Sequence, residues 1–310
     1  MLRYILKRLA IMLVTLWIII TLTFILMVSV PGSPFNSESS SNEIVQANLN
    51  KHYNLDQPKY IQYLEYIKSI ATFDFGPSIS KPHQSVNDLL GRGFPISFEL
   101  GIISIAVAVL SGIILGIIAA LRHNGIIDYL AMGLAVLGIS IPNFILATLL
   151  IQQLAVNWEI FPVATWSSPA HMVLPVFALA TGPMAIIARL TRSTMLEVLT
   201  QDYIKMARAK GLSPWKIIIK HALRNALMPV ITIMGTLVAG VLTGSFVIEK
   251  IFAIPGMGKY FVESINHRDY PVIMGTTVFY SVFLIVMLFL VDIAYGILDP
   301  RIKFHKKGGD

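Results

Sequence analysis

Residues Leu9–Val30 read LAIMLVTLWIIITLTFILMVSV, an apolar run without a charged side chain. A helix that crosses a bilayer needs about 20 mostly apolar residues, so this run is long enough to span one. The alternative is a cleaved secretion signal, but its apolar part would be shorter and an A-x-A-like cleavage site would follow it. We therefore expect residues 1–30 to form a retained N-terminal transmembrane helix.

Five further stretches are also apolar and about long enough to span a bilayer. They are Phe98–Leu121, Tyr129–Ala155, Met172–Ala188, Leu227–Ile248 and Val272–Leu298. Proline removes a backbone donor and kinks a helix, so we expect kinks at Pro142, Pro175 and Pro183, and a start of the second span after Pro95. The sequence predicts an all-α integral membrane protein with six transmembrane helices.

The composition agrees with a membrane protein and excludes several chemistries. Hydrophobic residues make up 55% of the chain and charged residues 13%, whereas a soluble domain carries roughly 25% charged residues. The chain contains no cysteine, which excludes disulfides, thiolate metal sites and cysteine nucleophiles. We predict no catalytic residue, no metal site and no cofactor in this chain.

The distribution of lysine and arginine predicts the orientation. With the amino terminus inside, the inner segments hold 16 of the 24 Lys and Arg residues and the outer segments hold eight. Positive residues concentrate in cytoplasmic loops, so we expect both termini to be cytoplasmic. The formal net charge of +7 then reflects topology rather than nucleic-acid binding.

The segments between the spans give the domain organisation. Residues 31–97 are expected to form an external subdomain between the first two spans, with a helix over Tyr60–Ala71, where apolar residues recur at helical spacing. The remaining segments are a cytoplasmic loop (189–226), an outer loop (249–271), the core that contains both loops (98–300) and a cytoplasmic tail (301–310).

The cytoplasmic loop carries the pattern of two short helices joined by a glycine turn. Tyr203–Lys210 are good helix formers, and Gly211 follows at the position of a helix C-cap. Ser213 and Pro214 then read as an N-cap and a proline at the first helical position. The second helix is expected to have an apolar side and a basic side, formed by Trp215, Ile218 and Ile219 and by Lys216 and Lys220.

A basic loop of this kind has two interpretations. One is a loop that lies on the anionic headgroups of the inner leaflet. The other is a docking element, because a bent helical unit of fixed shape is what a cytosolic partner can grip. The hinge over Gly211–Pro214 favours docking, since a loop that needs only charge has no need of a specified bend.

The same loop resembles the coupling motif of ABC-importer permeases. Ala207 and Gly211 match the second alanine and the glycine of that motif, while Lys205 and Met206 replace its leading glutamate and first alanine. Two wider strings are more specific and resemble the dipeptide, oligopeptide and nickel permease family. They are ARAKGLS at Ala207–Ser213 and HALRNALMP at His221–Pro229.

Other strings extend the resemblance over nearly the whole chain. YILKRL at Tyr4, NLDQPKY at Asn54, GISIPNF at Gly138, FAIPGMG at Phe252 and YGILDPR at Tyr295 are similar to the B-type subunits of that family. DFGPS at Asp74 and QSVNDL at Gln84 are similar to the oligopeptide permease B subunit of Gram-positive bacteria. The resemblance implies the type I ABC importer permease fold and a location in the bacterial cell membrane.

The resemblance also implies a function and partners. The chain would be the permease subunit of an ATP-driven, binding-protein-dependent oligopeptide importer, and permeases for dipeptides, nickel chelates or glutathione share the motifs. Its partners would be a C-type permease subunit, two cytosolic ATPase subunits that bind ATP and magnesium, an extracellular peptide-binding lipoprotein and the lipid bilayer, without nucleic acid. The sequence has no GxxxxGK[ST] phosphate loop of its own. The residues implied in ATPase coupling are Lys205, Ala207, Arg208, Ala209, Lys210, Gly211, Leu212, Ser213, Pro214, His221, Arg224 and Asn225.

Polar residues in the spans are candidates for a translocation path. They are Thr232, Thr236, Gly240 and Thr243 on one face of the fifth span, and Asn143, Thr148 and Gln152 in the third. Close packing through small residues is the alternative for the first set, and hydrogen bonding between helices is the alternative for the second. The turn formed by Pro255, Gly256, Met257 and Gly258 is a candidate outer gate or binding-protein contact, with a plain surface turn as the alternative.

Asp292 is the one acid that the sequence places clearly inside a span. Such acids are functional candidates, but an ion pair with Arg189 or Arg192 is the alternative. An ion-coupled secondary transporter would need coupling acids near the midplane and usually inverted repeats, and we detect neither. The sequence also lacks the paired acids or Ser/His pair of an intramembrane protease and the repeated filter or charged ring of a channel. Copurifying ATPases would distinguish an ABC importer from all three classes.

Overall fold

The computed structural model describes residues 2–29, 56–81 and 83–298. The contacts among these residues divide the chain into two compact units. The first comprises Met1–Ser97 and Pro255–Val286, and the second comprises Phe98–Ile254 and Met287–Asp310. Residues 255–286, which the sequence analysis included in the core, therefore group with the amino-terminal part of the chain.

Helices make up most of the described residues. The α-helices are α1 (Leu2–Ser29), α2 (Lys59–Thr72), α3 (Val86–Leu121), α4 (Ile126–Ser140), α5 (Asn143–Leu150), α6 (Pro169–Leu199), α7 (Asp202–Ala209), α8 (Pro214–Lys216), α9 (Leu223–Ala226), α10 (Met228–Ile251), α11 (Met257–His267) and α12 (Tyr270–Leu298). Two π-helical segments, Ile151–Asn157 and Ile217–Ala222, follow α5 and α8 directly.

In the first unit, α2 confirms the helix predicted over Tyr60–Ala71. It packs against α1 and the start of α12 through a small aromatic core. The rings of Phe24 and Tyr66 stack with centroids 6.1 Å apart, and both residues are buried with Val278. The hydroxyls of Thr21 and Tyr63 share a hydrogen bond of 2.7 Å, which adds a polar link between α1 and α2.

The helix α3 begins earlier than expected. The backbone N–H of Asp88 donates to Ser85 Oγ at 3.0 Å, and the N–H of Ser85 donates to the Asp88 carboxylate at 3.2 Å. This reciprocal pair is a capping box, which satisfies donors that a helix start leaves unpaired. Pro95 lies inside the helix, where it removes one hydrogen bond without ending the helix. The helix therefore extends amino-terminally beyond the predicted span Phe98–Leu121, because the cap at Ser85 starts it.

The predicted spans correspond to helices, with one difference. Five helices within the described residues are long and apolar enough to cross a membrane, and the pair Ile126–Ser140 and Asn143–Asn157 makes a sixth when taken as one span. The kink predicted at Pro142 is a break of 106°. Ile141 is extended there, with φ −86° and ψ 119°, because proline disfavours the α conformation in the residue before it.

The helix α6 is longer than its predicted span. It runs from Pro169 to Leu199 with Pro175 and Pro183 inside it, so it continues past Ala188 into the segment assigned to the cytoplasmic loop. Both arms of the bent pair and α10 pack against α6. It is therefore the central helix of the second unit.

Glycines in α3 allow a close approach to α6. A Cβ added at Gly112 would lie 2.8 Å from the carbonyl oxygen of Met184, and one at Gly116 would lie 2.6 Å from Cβ of Thr191. Real Cβ atoms do not approach neighbours this closely. Small residues are the usual means by which membrane helices pack at short distance.

Candidate functional site

The predicted glycine turn is confirmed, and it joins the two parts of a helix–turn–helix unit, residues 202–226. Gly211 has a φ of +76°, and no atom lies within 4 Å of a Cβ placed on it. The left-handed backbone, rather than lack of space, therefore requires glycine here. The N–H of Gly211 donates to the carbonyl of Arg208 at 2.9 Å, and the N–H of Leu212 donates to that of Ala207 at 3.3 Å, so the turn closes the end of α7.

The second part of the unit starts as the sequence predicts. Ser213 is the N-cap residue and Pro214 the first helical residue of α8. The Ser213 hydroxyl makes no capping hydrogen bond, but its carbonyl accepts from the N–H of Ile217 at 3.1 Å. The backbone of Ser213 therefore begins the helix without help from its side chain.

The prediction of which residues form the apolar face was wrong. Trp215 and Ile219 are 69% and 63% exposed, whereas Ile217 and Ala222 are buried. The π-helical hydrogen bonding over Ile217–Ala222 is wider than that of an α-helix. It changes which side chains share a face, so a period of 3.6 residues does not describe this segment.

A small core and two hydrogen bonds hold the unit in place. Ile204 of α7 and Ile217 are buried in one cluster with Met195 of α6. Asn225 Nδ2 donates to the Tyr203 hydroxyl at 2.8 Å, which links α9 to α7. Thr194 Oγ1 donates to the carbonyl oxygen of Ala226 at 2.8 Å, which links α6 to α9. Asn225, predicted as a coupling residue, thus also fixes the angle within the unit.

The outer surface of the unit combines positive charge with apolar side chains. Exposed among the predicted coupling residues are Lys205, Arg208, Ala209, Lys210, Gly211, Ser213, Pro214, Arg224 and Asn225. Ala207 is buried, and Leu212 and His221 are half-buried. Three large apolar side chains that were not predicted as site residues are also exposed: Met206 (58%), Trp215 (69%) and Ile219 (63%).

The threonine face of α10 is open in this chain. Thr232 and Thr236 are exposed, and a Cβ added at Gly240 would meet no atom within 4 Å. Thr232 Oγ1 donates to the carbonyl of Met228 in its own helix at 3.0 Å. The side chain of Thr243 lies outside the described residues. The described part of this chain therefore does not pack against the face.

The polar residues of the bent pair bond locally. Thr148 is exposed and donates to the carbonyl of Ile145 at 2.8 Å. Gln152 is exposed and donates to Asn157 Oδ1 at 3.1 Å. Asn143 is half-buried, and its Oδ1 would lie 3.8 Å from a Cβ on Gly182. These hydrogen bonds of Thr148 and Gln152 stay within their own segment, and both side chains lie on an open surface.

The outer turn is packed rather than free. Gly256 and Gly258 are buried and Pro255 is exposed. The N–H of Met257 donates to Ser97 Oγ at 2.9 Å, and a Cβ on Gly93 would lie 2.9 Å from that same nitrogen. The turn thus lies against the first part of α3.

Asp269, which the sequence analysis did not select, organises the neighbouring segment. It is fully buried. Its Oδ2 accepts from the Ser78 hydroxyl at 2.5 Å, the Ser80 hydroxyl at 2.7 Å and the Ser80 N–H at 2.9 Å. Lys81 and Glu263 form an ion pair of 3.2 Å beside it. These contacts tie residues 78–81 to the residues that follow α11.

A second missed group is the ion pair of Asp128 and Arg192. Arg192 Nε and Nη2 lie 2.5 Å and 2.6 Å from the two carboxylate oxygens of Asp128, which is only 1% exposed. Glu249 of α10 is also buried and accepts from the Ser245 hydroxyl at 2.8 Å. Asp128 lies in the first turn of α4 and Glu249 in the last turn of α10, so both buried acids lie at helix ends. That Asp292 is the one acid clearly inside a span stays a prediction. Arg192 pairs with Asp128, and the Asp292 side chain lies outside the described residues.

Comparison with known proteins identifies the family. The family described as "Binding-protein-dependent transport system inner membrane component" matches residues 112–304, and the N-terminal region of such membrane components matches residues 1–96. The dipeptide transport system permease protein DppB of Bacillus subtilis (strain 168) is 74% identical, over 99% of this chain and 100% of that protein. The oligopeptide transport system permease protein OppB of Haemophilus influenzae is 43% identical, over 98% of this chain and 100% of that protein.

Solved structures agree on the fold. The inward-facing MetNI methionine ABC transporter aligns with a TM-score of 0.54 and 21% sequence identity, over 68% of this chain and 94% of the matched chain. At this identity the similarity concerns the fold alone, which is that of a type I importer permease. Together with the sequence matches over nearly its full length, this shows that the chain belongs to the family of binding-protein-dependent transport system inner membrane components, as a B-type permease subunit of an ABC peptide transporter.

Proposed function

We propose that this chain forms half of the translocation path of an ATP-driven importer of dipeptides, with both termini in the cytosol. The relative from Bacillus subtilis that supports the substrate is 74% identical and is named a dipeptide permease. The excess of Lys and Arg in the segments 189–226 and 301–310 supports the orientation. The partners are a second permease subunit, two ATPase subunits that bind ATP and magnesium, and an extracellular peptide-binding lipoprotein.

The observation that carries the coupling role is the outer surface of the helix–turn–helix unit. Met206, Trp215 and Ile219 are each more than half exposed and stand among lysines and arginines. Apolar side chains of this size at the surface of a rigid unit mark an interaction site. Tryptophan with cationic neighbours is typical of the residues that dominate protein interfaces. A cytosolic ATPase that grips this surface would transmit its closure to α6 through the Thr194 hydrogen bond.

Copurification tests this role. The tagged chain, expressed with its partners and solubilised in mild detergent, should bring down the ATPases and the second permease. Trp215→Ser should weaken ATPase capture roughly tenfold, the scale of a lost interface anchor, and leave the second permease bound. Tyr60→Ser is the matched control, because Tyr60 on α2 is equally exposed, at 68% against 69%.

Two outcomes would count against this assignment. Equal ATPase capture by both variants would show that the Trp215 surface is not the docking site and would favour the headgroup interpretation. A wild-type chain that purifies without any ATPase would contradict the proposed function itself.

Oligopeptides are the second candidate substrate, as the sequence analysis first suggested, and the 43% identity to a protein named as an oligopeptide permease favours them. Uptake of a labelled dipeptide, with unlabelled peptides of two to five residues as competitors, separates the candidates. For a dipeptide importer, only the dipeptide and tripeptide should compete. Strong competition by a pentapeptide would assign the importer to oligopeptides instead.

A further inference from the structure

The second unit contains an open cavity that the proposed coupling site does not use. Its volume is about 710 Å³, and its walls come from α4, α6 and α10. Met132, Ile139, Ile186 and Ile233 make most of the lining apolar, and Arg189 and Ser193 of α6 are its accessible polar residues. This volume falls within the ~300–1,000 Å³ typical of small-molecule sites.

The two arginines on this wall differ in their state. Arg192 is bound by both oxygens of the buried Asp128 carboxylate, so its charge is compensated. Arg189 is exposed, and no acid of the described residues forms an ion pair with it. Ser193 is also exposed and lies one turn from Arg189, at the i+4 spacing that places side chains next to each other on a helix. Within the described residues, the cavity thus holds one guanidinium without an ion-pair partner, beside a hydroxyl.

We propose that Arg189 and Ser193 form a subsite for the C-terminal carboxylate of the peptide as it passes the membrane domain. The inference rests on the proposed peptide transport. Guanidinium groups bind carboxylates through two parallel hydrogen bonds. Ser193 adds a neutral donor.

This arrangement suits a transporter that accepts many sequences. Every peptide with a free carboxyl end carries the same anion, whatever its side chains are. The apolar walls contact the variable side chains without directional hydrogen bonds, so they discriminate weakly between them. Arg189 would therefore recognise the common part of the substrates, and the cavity would tolerate the rest.

Uptake of two matched peptides tests the subsite. The complete importer, reconstituted with its binding protein, is given a dipeptide or the same dipeptide amidated at its C-terminus. Arg189→Gln should reduce uptake of the free acid roughly tenfold, as for a lost charged hydrogen bond, with little effect on the amide. The same binding protein is used with wild type and variant, so its own preference for the acid or the amide cancels when the two uptake rates of each peptide are compared. Arg122→Gln, which changes an exposed arginine outside the cavity, is the control and should leave both rates unchanged.

The absence of cysteine allows a second measurement that does not depend on transport. In a Ser193→Cys variant of the purified complex, an anionic methanethiosulfonate reagent should label the thiol faster than a cationic one. Millimolar free-acid dipeptide should protect the thiol, and adding Arg189→Gln should remove both effects.

Three results would overturn the subsite. The first is an equal loss of acid and amide uptake in Arg189→Gln. The second is protection of the Ser193→Cys thiol from labelling by anionic lipid but not by peptide. The third is no protection of the thiol by either, as expected if Arg189 were held by Asp292. If wild type imports no peptide, the proposed function fails instead, and the labelling result shows separately whether the cavity binds a carboxylate.

Discussion

The ion pair between Asp128 and Arg192 should be the most sensitive polar contact of the second unit. Its two distances, 2.5 Å and 2.6 Å, describe a bidentate pair. The Asp128 side chain is 1% exposed and that of Arg192 is 24% exposed. Removing one partner of a buried pair typically costs about 3–5 kcal/mol, because the remaining charge is left uncompensated. Because Arg192 borders an open cavity that water can enter, we expect a destabilisation at the lower end of this range.

The two single substitutions should differ. Arg192→Gln removes the guanidinium from a buried carboxylate and leaves, among the described residues, only His123 Nδ1, 3.4 Å away, as a possible cationic partner. We expect it to lower the free energy of unfolding by about 3 kcal/mol. Asp128→Asn keeps an oxygen that can accept from the N–H of Asn124, now at 3.0 Å, and it leaves an arginine that can reach water. We expect a loss of about 1–2 kcal/mol for this variant.

Chemical unfolding of the purified complex, followed by tryptophan fluorescence, would measure these differences. The double variant should lose about 1–2 kcal/mol less than the sum of the single variants, since contacting residues are not additive. Equal effects of the two single substitutions, or strict additivity in the double variant, would show that Asp128 and Arg192 do not stabilise the fold as a buried pair. Asp128→Asn should also release Arg192 into the cavity and increase labelling of Ser193→Cys by the anionic reagent.

Substitutions at Gly211, Gly116 and Asp269 give three further predictions. Gly211→Ala should lower the free energy of unfolding by about 1 kcal/mol, because alanine is strained at the positive φ of the turn, and Gly211→Asn should lower it less. The coupling of ATP hydrolysis to transport in proteoliposomes should be impaired more by Gly211→Ala than by Gly211→Asn. Gly116→Ala should destabilise the complex by roughly 1–3 kcal/mol, whereas Gly133→Ala, with open space around the new Cβ, should be neutral or stabilising in the same thermal unfolding assay. Asp269→Asn should raise protease cleavage near Ser78, because one oxygen that accepts three hydrogen bonds would be weakened; unchanged cleavage would contradict the role assigned to Asp269.

The sequence predicts the apolar helices well, because their signal is local and long. The Gly211 turn is also local, since φ and the Ser213–Pro214 start depend on a few neighbouring residues. The break at Pro142 was predicted in position but not in size. A proline specifies where a helix is interrupted, whereas the packing of both arms against α6 determines how far the chain turns.

The features that the sequence did not reveal depend on distant partners or on an altered helix period. Asp269 is bonded to Ser78, 191 residues away, and Arg192 to Asp128, 64 residues away. No single-sequence pattern indicates such pairs. The π-helical stretch Ile217–Ala222 misled the analysis for a different reason, because the search for an apolar face assumed an α-helical period.

The 106° break between α4 and α5 has a consequence for the biogenesis of the protein. Residues 126–157 form one apolar stretch, which the insertion machinery would recognise as a single segment by its hydrophobicity. Gly138 of α4 packs closely against Thr181 of α6: a Cβ added at Gly138 would lie 2.9 Å from Cγ2 of Thr181. This contact can form only after α6 has been synthesised. We therefore expect the full bend, which depends on packing against α6, to form late in the bilayer. A nascent chain arrested before Pro169 should hold this segment in a straighter form than the finished protein does.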